Sequence, residues 1–570
     1  MLKSISRDRF GGVNTTKMRR GRDHLRWLGL AVAFAALLNA RIVHASPAVH
    51  CASGPGVATD EGPVCGQVSG DIQQFLAIPY AAPPVGNLRW EPPQAVAPWT
   101  TPRQATDFAS ACPQKFFPSG VQGGSEDCLY LNVFRPNPVD AGRLPVMVEI
   151  HGGGFYLGSG VYNAAPITSR GHVVLVTINY RLGILGFLAH TGFGGPPGNY
   201  GLLDQQAALR WVKRNIAAFG GNPENVTIYG SSAGGSSVCM QMISPLARGL
   251  FAKGIIESGH YADYESGSSC SQTLPTLAQA EASAAQFADV IGCGTATDVV
   301  ACLRSKSVSD LFNAGSGPPL QFAIRPIVDG TVLREQPQAA FGDGRFNRVP
   351  VINGIGRDEG RTFLTLQKLP DGGASLTPAD YEADIRAKFG AAANRVLAEY
   401  PLDRYPTVRI ALGTVWSDSA TDCPALFSNI RLSRWVPTYG YQMNEGNETN
   451  FYAPESLSEG SFHSAEAIYL NPSPQGFNAN ETVLSNQFID EWTTFARTGN
   501  PTARGTPVWP RFHRHNQYVL SMIAGADTQI TSDMWLNHHC GFWTGVLAHD
   551  DDDHDGDNHD RDDYEGHGTD

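Results

Sequence analysis

Gly230-Ser231-Ser232-Ala233-Gly234 is the stretch that decides the fold of this chain. It follows a run of β-branched and aromatic residues, 226–229 (VTIY), and it precedes a segment with helical spacing. A G-x-S-x-G sequence between a strand and a helix is typical of a nucleophile elbow, a sharp turn that holds a serine in a strained backbone conformation. Side chains at the flanking glycines would clash in that turn. We therefore predict that Ser232 is a nucleophile at the start of a helix, where developing negative charge is stabilised.

A second glycine-rich motif lies upstream of the elbow. His151-Gly152-Gly153-Gly154 follows the apolar run 146–150 (VMVEI), which reads as a buried strand. An H-G-G-G loop upstream of a nucleophile elbow supplies backbone N–H groups to an oxyanion hole. The alternative is that the two motifs are unrelated glycine turns. This is a poor explanation, because each motif follows a predicted strand and the two motifs occur in the order that the fold requires. The predicted oxyanion donors are the N–H groups of Gly153, Gly154 and Ala233.

Strand-like and helix-like runs alternate along the body of the chain. Residues 173–180 are almost continuously apolar, and residues 204–219 have helical spacing that ends in a Gly-Gly-Asn-Pro turn. This alternation predicts an α/β fold, with a mostly parallel central sheet and helices on both faces. Residues 274–387 are richer in helical and loop patterns, and we expect them to form a cap over the catalytic edge of the sheet.

The two ends of the chain differ from its body in composition. Residues 1–45 carry several arginines, then a short apolar run, then small residues up to Ala45, which predicts a secretory signal peptide cleaved after Ala45. An uncleaved signal anchor is the alternative, although the apolar run is short for a bilayer. Residues 549–570 are rich in Asp and His, which predicts a disordered acidic tail. A calcium-loop-like Asp pattern in this tail lacks flanking helix signals. One domain is therefore predicted over residues 46–548.

Composition and charge restrict the partners of this domain. The chain has 570 residues, of which 42% are hydrophobic and 17% are charged, so it can build a large globular core. Its formal net charge of −12 argues against nucleic acid or an anionic membrane as a partner. We expect a secreted, periplasmic or extracellular protein without stable membrane insertion after signal cleavage, acting on a small-molecule or polymeric substrate.

Ten cysteines in a chain with an export signal indicate disulfides. Cys51 and Cys65 bracket a Gly/Pro-rich stretch near the predicted mature N-terminus. Cys239 lies in the helix predicted after the elbow, and we expect it to be a buried thiol. Spacing leaves the partner of Cys270 open.

The chain resembles the type-B carboxylesterase and cholinesterase family of the α/β-hydrolases. The segments that carry the resemblance, in family order, are 75–86 (FLAIPYAAPPVG), 126–133 (EDCLYLNV), 198–205 (GNYGLLDQ) and the elbow. The resemblance implies an α/β-hydrolase fold and the hydrolysis of carboxylic esters through a Ser-His-Glu triad and an acyl-enzyme, without a metal or organic cofactor. It also implies disulfides between Cys112 and Cys128, Cys293 and Cys302, and Cys423 and Cys540.

The order serine, acid, histidine leaves several candidates for the two partners of Ser232. They are Asp329, Asp358, Glu359, His463, His513 and His515. The resemblance selects Glu359, in 353–360 (NGIGRDEG), and His463, in 461–466 (SFHSAE), with Asp358 as the rival acid. One departure concerns Ser231, since the family usually has a glutamate before the nucleophile. That glutamate joins a buried polar network near the histidine, and a serine cannot supply its charge.

The segment between Cys112 and Cys128 bears on the substrate. In cholinesterases the matching loop carries a tryptophan that binds the choline cation through a cation–π interaction. Here the segment has Phe116 and Phe117 but no tryptophan. This favours a general carboxylesterase over a choline esterase or a lipase with a long lid. Two alternatives are a non-catalytic adhesion protein of the same family, against which Ser232 and His463 argue, and an amidase that uses the same triad.

Overall fold

The computed structural model describes most of the chain between residues 49 and 547. The residues left out within this range are 117–120, 140–141, 261–269, 272, 316–324, 369–370, 446–456, 458, 473–476 and 526–527. The predicted signal peptide, residues 1–45, and the predicted acidic tail, residues 549–570, lie outside the described residues. Within the described part, every helix is too short or too polar to cross a membrane.

The strands of the described chain are short, and most of them are buried. They are β1 (Gly56–Ala58), β2 (Pro63–Cys65), β3 (Gln67–Ser69), β4 (Ile72–Pro79), β5 (Arg103–Gln104), β6 (Gln114–Phe116), β7 (Val121–Gly123), β8 (Tyr130–Pro136), β9 (Leu144–Ile150), β10 (Val174–Ile178), β11 (Gly221–Ser231), β12 (Lys253–Glu257), β13 (Val351–Gly356), β14 (Thr438–Met443), β15 (Val519–Met522) and β16 (Gln529–Thr531). Strands β1, β2 and β5 form a small sheet, and β6 and β7 form a hairpin.

The remaining strands form one large sheet in the order β16-β15-β14-β13-β12-β11-β9-β10-β8-β4-β3. Pairing is parallel from β15 through to β10 and antiparallel at both ends of the sheet. This arrangement confirms the predicted mostly parallel sheet of an α/β fold. Strands β13, β12, β11 and β9 are consecutive neighbours, so their carboxyl ends meet at one edge, where α/β folds place their active sites.

The helices fill the connections between these strands. They are α1 (Ala165–Gly171), α2 (Gly183–Phe187), α3 (Tyr200–Asn215), α4 (Ala233–Ile243), α5 (Leu277–Val290), α6 (Val299–Ser305), α7 (Val308–Gly315), α8 (Pro337–Gly342), α9 (Glu359–Gln367), α10 (Pro378–Phe389), α11 (Ala393–Glu399), α12 (Val408–Ser417), α13 (Cys423–Ser433), α14 (Ala465–Leu470), α15 (Ala479–Thr498), α16 (Met534–Asn537) and α17 (Cys540–Leu547). A single π-helical turn, Asp418–Asp422, joins α12 to α13.

The two faces of the sheet are buried against different helices. On β9, Val146 and Val148 belong to one core, which includes Trp211 of α3, whereas Met147 belongs to a second core with Trp492 of α15. All seven residues of β9 are buried. A strand covered on both faces needs apolar side chains at successive positions, which is why the sequence shows continuous apolar runs.

The helical region after β12 differs from the predicted cap. Helices α5 to α8 occupy the connection between β12 and β13, as a cap would. The predicted cap, residues 274–387, also includes β13, a strand of the central sheet, and α9 and α10 beyond it. Its far boundary was therefore wrong. The strand was missed because its sequence, VINGIG, is short and contains two glycines, which weaken a strand pattern.

All ten cysteines are paired in disulfides. The pairs Cys112–Cys128, Cys293–Cys302 and Cys423–Cys540 are the three that the family resemblance implied. The sequence analysis left the partners of Cys51 and Cys65 open, and these two residues are bonded to each other. The prediction of a free thiol at Cys239 was wrong, because Cys239 is bonded to Cys270. Cys239 is fully buried in α4, as expected, but the chain that follows β12 brings Cys270 against this helix, where its sulfur also lies near the carbonyl of Gly235.

Candidate active site

The elbow connects β11 to α4 and places Ser232 at the turn. Ser232 has φ 59° and ψ −126°, a backbone conformation that L-residues rarely adopt. A Cβ atom at either Gly230 or Gly234 would collide with the carbonyl oxygen of Ile150 on β9. The glycines of the motif are therefore required by the close approach of the elbow to the neighbouring strand.

The predicted serine, histidine and acid meet in one hydrogen-bonded chain. Nε2 of His463 lies 2.8 Å from Oγ of Ser232, and Nδ1 of His463 lies 2.7 Å from Oε2 of Glu359. Glu359 begins α9 directly after β13, and its side chain is inaccessible to solvent. The loop before α14 carries His463, whose backbone N–H donates to Thr362 on α9. A base that contacts both a nucleophile and a buried carboxylate is the arrangement that activates a serine.

The other sequence candidates lie elsewhere. Asp358, the rival acid, forms ion pairs with Arg357 and Arg361, at 2.9 Å and 2.7 Å. Asp329 accepts three backbone N–H groups of the turn that follows it. His513 and His515 are exposed on the loop before β15. The structure therefore brings Glu359, and not Asp358, to the imidazole.

The glycine loop lies directly against Ser232. A Cβ atom at Gly152 would come within 3.2 Å of Cβ of Ser232. Gly153 and Gly154 have φ values of 103° and 62°, and residues with a side chain rarely adopt such positive φ values. Among the described residues, the backbone N–H groups of Gly153, Gly154 and Ala233 donate to no other protein group. They are thus free to donate to an oxyanion.

His151 anchors this loop as a neutral side chain. Its ring stacks on Tyr180 with 4.3 Å between centroids, and the Tyr180 hydroxyl donates to the His151 carbonyl over 2.9 Å. Burial lowers the pKa of His151 to about 4, against a weaker opposing effect of its hydrogen bond with Gly152. A neutral, packed imidazole fixes the loop without adding a charge next to the nucleophile.

A buried polar network lies behind Glu359, and sequence reasoning missed most of its members. The Ser258 hydroxyl lies 2.5 Å from Oε1 of Glu359 and 2.8 Å from Oε1 of Glu466. The backbone N–H of Gly356 also donates to Oε1 of Glu359. Ser258 follows β12, and Glu466 lies in α14, three residues after His463. The proximity of Glu466 to the histidine motif was the only signal in the sequence.

One hydroxyl proton cannot satisfy two carboxylates, so the network must hold a further proton. Burial, together with the charge of Glu359, raises the pKa of Glu466 to about 7, against weaker opposing hydrogen bonds from Ser258 and Ser231. Glu466 is therefore the group that carries this proton in slightly acidic solution. The Ser231 hydroxyl joins the same network, 2.8 Å from Oγ of Ser464 and 2.9 Å from Oε1 of Glu466.

Two further buried acids stand inside apolar strands at the same edge of the sheet. Burial raises the pKa of Glu149 on β9 to about 8. Burial and the charge of Glu466 raise the pKa of Glu257 on β12 well above its usual range, although Trp492 donates a hydrogen bond to it over 2.6 Å. Both were visible in the sequence as single acids in otherwise apolar runs. Their protonated forms keep the net negative charge behind the triad low.

In the part of the chain that the structure describes, two other buried groups of side chains have the chemistry of metal ligands. Cys239 and Cys270 lie beside His260, but their sulfurs are joined in a disulfide and offer no thiolate. In the cluster of Asp418, Asp422 and His538, the side-chain nitrogen and oxygen atoms already have hydrogen-bond partners.

The structure combines a mostly parallel α/β sheet with an elbow serine that is hydrogen-bonded to a histidine, which in turn contacts a buried glutamate. Backbone N–H groups lie free beside the serine. Together these features define a serine hydrolase of the α/β-hydrolase class. Comparison with known proteins specifies the family. The model of the carboxylesterase family matches residues 53–543, and the chain belongs to this family. It is a carboxylic-ester hydrolase.

Three relatives illustrate the range of this family. The chain is 33% identical to para-nitrobenzyl esterase from Bacillus subtilis (strain 168), over 83% of this chain and 95% of that protein. It is 35% identical to fumonisin B1 esterase from Sphingopyxis macrogoltabida, over 81% of this chain and 85% of that protein. The chain is 33% identical to acetylcholinesterase from Bungarus fasciatus, over 86% of this chain and 86% of that protein.

Proposed function

We propose that this protein is a secreted serine carboxylesterase that works through an acyl-enzyme, with Ser232 as nucleophile, His463 as general base and Glu359 as the orienting acid. The observation that carries the proposal is the continuous chain of hydrogen bonds from Ser232 through His463 to Glu359, 2.8 Å and 2.7 Å long. The strained elbow supports it, because strain of this kind persists where it aims a reactive side chain.

The proposed reaction begins when Nε2 of His463 accepts the proton of the Ser232 hydroxyl. The serine oxygen then attacks the ester carbonyl, and the resulting imidazolium is stabilised by the Glu359 carboxylate at Nδ1. The imidazolium protonates the leaving alcohol, which completes the acyl-enzyme. A water molecule, deprotonated by His463, then attacks the acyl carbon and releases the carboxylic acid and the free serine.

The tetrahedral intermediates of both steps carry negative charge on the former carbonyl oxygen. We propose that the N–H groups of Gly153, Gly154 and Ala233 donate to this oxygen, aided by the N-terminus of α4. Losing one such donor raises the barrier by about 3 kcal/mol in comparable sites. These groups are already oriented in the free protein, so little reorganisation is needed as the charge develops.

The proposed substrate is an uncharged carboxylic ester, small or polymeric. Residues 113–127 contain no tryptophan that could bind a quaternary ammonium group. The test compares kcat/KM for acetylcholine and for 3,3-dimethylbutyl acetate, its uncharged analogue of the same shape. We expect no preference for the cation, and a preference of tenfold or more for acetylcholine would contradict the proposal. A matched anilide should react far more slowly than the ester, which separates an esterase from an amidase.

Export is proposed from the leader and the cysteines together. Five disulfides are typical of proteins that fold in an oxidising compartment. We propose cleavage after Ala45, so N-terminal sequencing of the exported protein should begin at Ser46.

We also propose that the tail, residues 549–570, is dispensable. Truncation after Ala548 should leave kcat and Tm unchanged, with and without calcium.

A further inference from the structure

A buried cluster of two carboxyl groups and one imidazole lies close to the helix that begins with Glu359. Asp418 and Asp422 are the first and last residues of the π-helical turn between α12 and α13, and His538 follows α16. Nδ1 of His538 lies 2.6 Å from Oδ1 of Asp418, and Nε2 lies 3.5 Å from Oδ1 of Asp422. The exposed fractions of the three residues are 1%, 0% and 5%. One imidazole therefore bridges the two ends of the turn.

The imidazole is the cation of this cluster. Among the described residues, His538 is the only base within ion-pair distance of Asp418 or Asp422. Burial by itself lowers the pKa of His538, but the charges of Asp422 and Asp418 raise it to about 9. Burial raises the pKa of Asp422 well above its usual range, although the charge of His538 opposes this shift. The two carboxyl groups thus favour the protonated form of His538.

Other polar groups complete the cluster. The Tyr400 hydroxyl donates to Oδ2 of Asp418 over 2.8 Å. Nε2 of Gln442 donates to Oδ1 of Asp422 over 2.8 Å and lies 2.7 Å from Nε2 of His538. The remaining titratable groups that face the cluster from neighbouring elements are Asp358, Glu359 and Tyr405.

The turn that carries this cluster presses directly on the start of α9. Ser417, the residue before Asp418, accepts a hydrogen bond from the backbone N–H of Gly360 over 2.9 Å. A Cβ atom at Gly360 would collide with the backbones of Gly413 and Ser417. Gly360 follows Glu359 in the chain, so a shift of the π-helical turn displaces the carboxylate of Glu359. π-helical turns within helices are frequent at functional sites.

We propose that His538 is a positioning residue for the reaction: by bridging Asp418 and Asp422 it fixes the π-helical turn against α9 and so holds Glu359 in its hydrogen bond with His463. The inference rests on the proposed triad. Loss of the bridge lowers kcat rather than raising KM, because no residue of the cluster belongs to the nucleophile or the oxyanion loop. Loss of one proton from His538 at alkaline pH leaves the Nδ1–H donor to Asp418 but removes the positive charge that faces Asp422, and so weakens the bridge.

The test compares His538→Gln with a matched control, His539→Gln. His539 is the next residue and forms a pair with Glu399 of the same length, 2.6 Å, but both side chains are about one third exposed, at 32% and 36%. We expect His538→Gln to lower kcat per titrated active site about tenfold with KM changed less than about twofold, and His539→Gln to match the wild type. In the wild type, kcat should fall between pH 8 and pH 10 with an apparent pKa near 9, and His538→Gln should lack this step.

Two results would overturn the inference. One is a His538→Gln enzyme with the kcat and the alkaline step of the wild type, while Glu359→Gln is impaired. The other is a flat wild-type kcat between pH 8 and pH 10, which decides the matter even if His538→Gln does not fold. A different result would show that the proposed function itself is wrong: in that case Glu359→Gln or Ser232→Ala would retain full turnover.

Discussion

The hydroxyl of Ser231 lies 2.9 Å from Oε1 of Glu466, in the polar network behind Glu359. Ser231 stands where the sequence analysis expected a glutamate, and its hydroxyl makes this hydrogen bond without adding a charge. Glu466 already shares Ser258 with Glu359, so a further carboxylate here would have added repulsion within a buried site. The serine leaves Glu466 as the titrating acid of the network.

Replacing Glu466 with Gln should simplify the pH dependence of the reaction. The pKa of Glu466 is raised to about 7 by burial and by the charge of Glu359, so the ionisation of Glu466 adds to the pH dependence of the wild type. Glutamine mimics the protonated form, and we expect kcat/KM at pH 6 to stay within about threefold of the wild type. The profile of kcat/KM from pH 5 to pH 8 should fit a single ionisation. A profile that superimposes on that of the wild type would show that Glu466 does not titrate with the active site.

The triad predicts strong non-additivity. His463→Ala and Glu359→Gln should each lower kcat, by about 10⁴-fold or more for the histidine, because each interrupts the same proton transfer. The double variant should be little worse than His463→Ala alone. Asp358→Asn is the control, because Asp358 pairs with Arg357 and Arg361 and its loss should affect Tm more than kcat. Inactive Asp358→Asn together with active Glu359→Gln would assign the acid to Asp358.

Stability should fall as the pH rises from about 6.5 to 9. Folded Glu149 and Glu466 keep their protons to about pH 8 and 7, whereas the unfolded carboxyls lose them near 4.5. The folded state therefore binds more protons, and stability decreases with rising pH. His538, with its pKa raised to about 9, acts in the same direction above pH 6.5. His151 and His260, with pKa values lowered to about 4 and 3, act oppositely, but only below pH 6.5.

Calorimetry measures this dependence directly. We expect Tm to drop by about 5 °C or more between pH 6.5 and pH 9 at constant ionic strength. Glu149→Gln should reduce the drop, since it removes one of the groups that bind the extra protons. A Tm that stays constant or rises over this interval would contradict the assignment of protonated acids to the interior.

The sequence predicted the parts of this structure that depend on local pattern. The elbow and the glycine loop could be recognised because strained turns next to buried strands tolerate few residues, as the collisions at Gly230 and Gly234 with Ile150 illustrate. The central strands were visible because both of their faces are buried. Selection of Glu359 over Asp358 needed the family resemblance, since two adjacent acids on one turn look alike in a sequence.

What the sequence did not predict depends on contacts between distant residues. Cys239 and Cys270 are 31 residues apart, and nothing in either local pattern indicates that they meet. Ser258, Glu466 and His538 are ordinary polar residues in the sequence, and their burial follows only from the packing of the helices around the sheet. The predicted boundary of the cap was wrong for a related reason. Strand β13 is identified by its pairing with β12 and β14, whereas its own residues form only a weak strand pattern.

The most direct test of the account is covalent labelling of the nucleophile. The purified enzyme is treated with an organophosphate ester, digested and analysed by mass spectrometry, with Ser232→Ala treated in parallel. We predict one adduct per chain, located on Ser232, with activity lost in proportion to labelling, and neither adduct nor turnover in a folded Ser232→Ala protein. An adduct on another residue, or a Ser232→Ala protein that retains wild-type turnover, would contradict the central claim that Ser232 is the catalytic nucleophile.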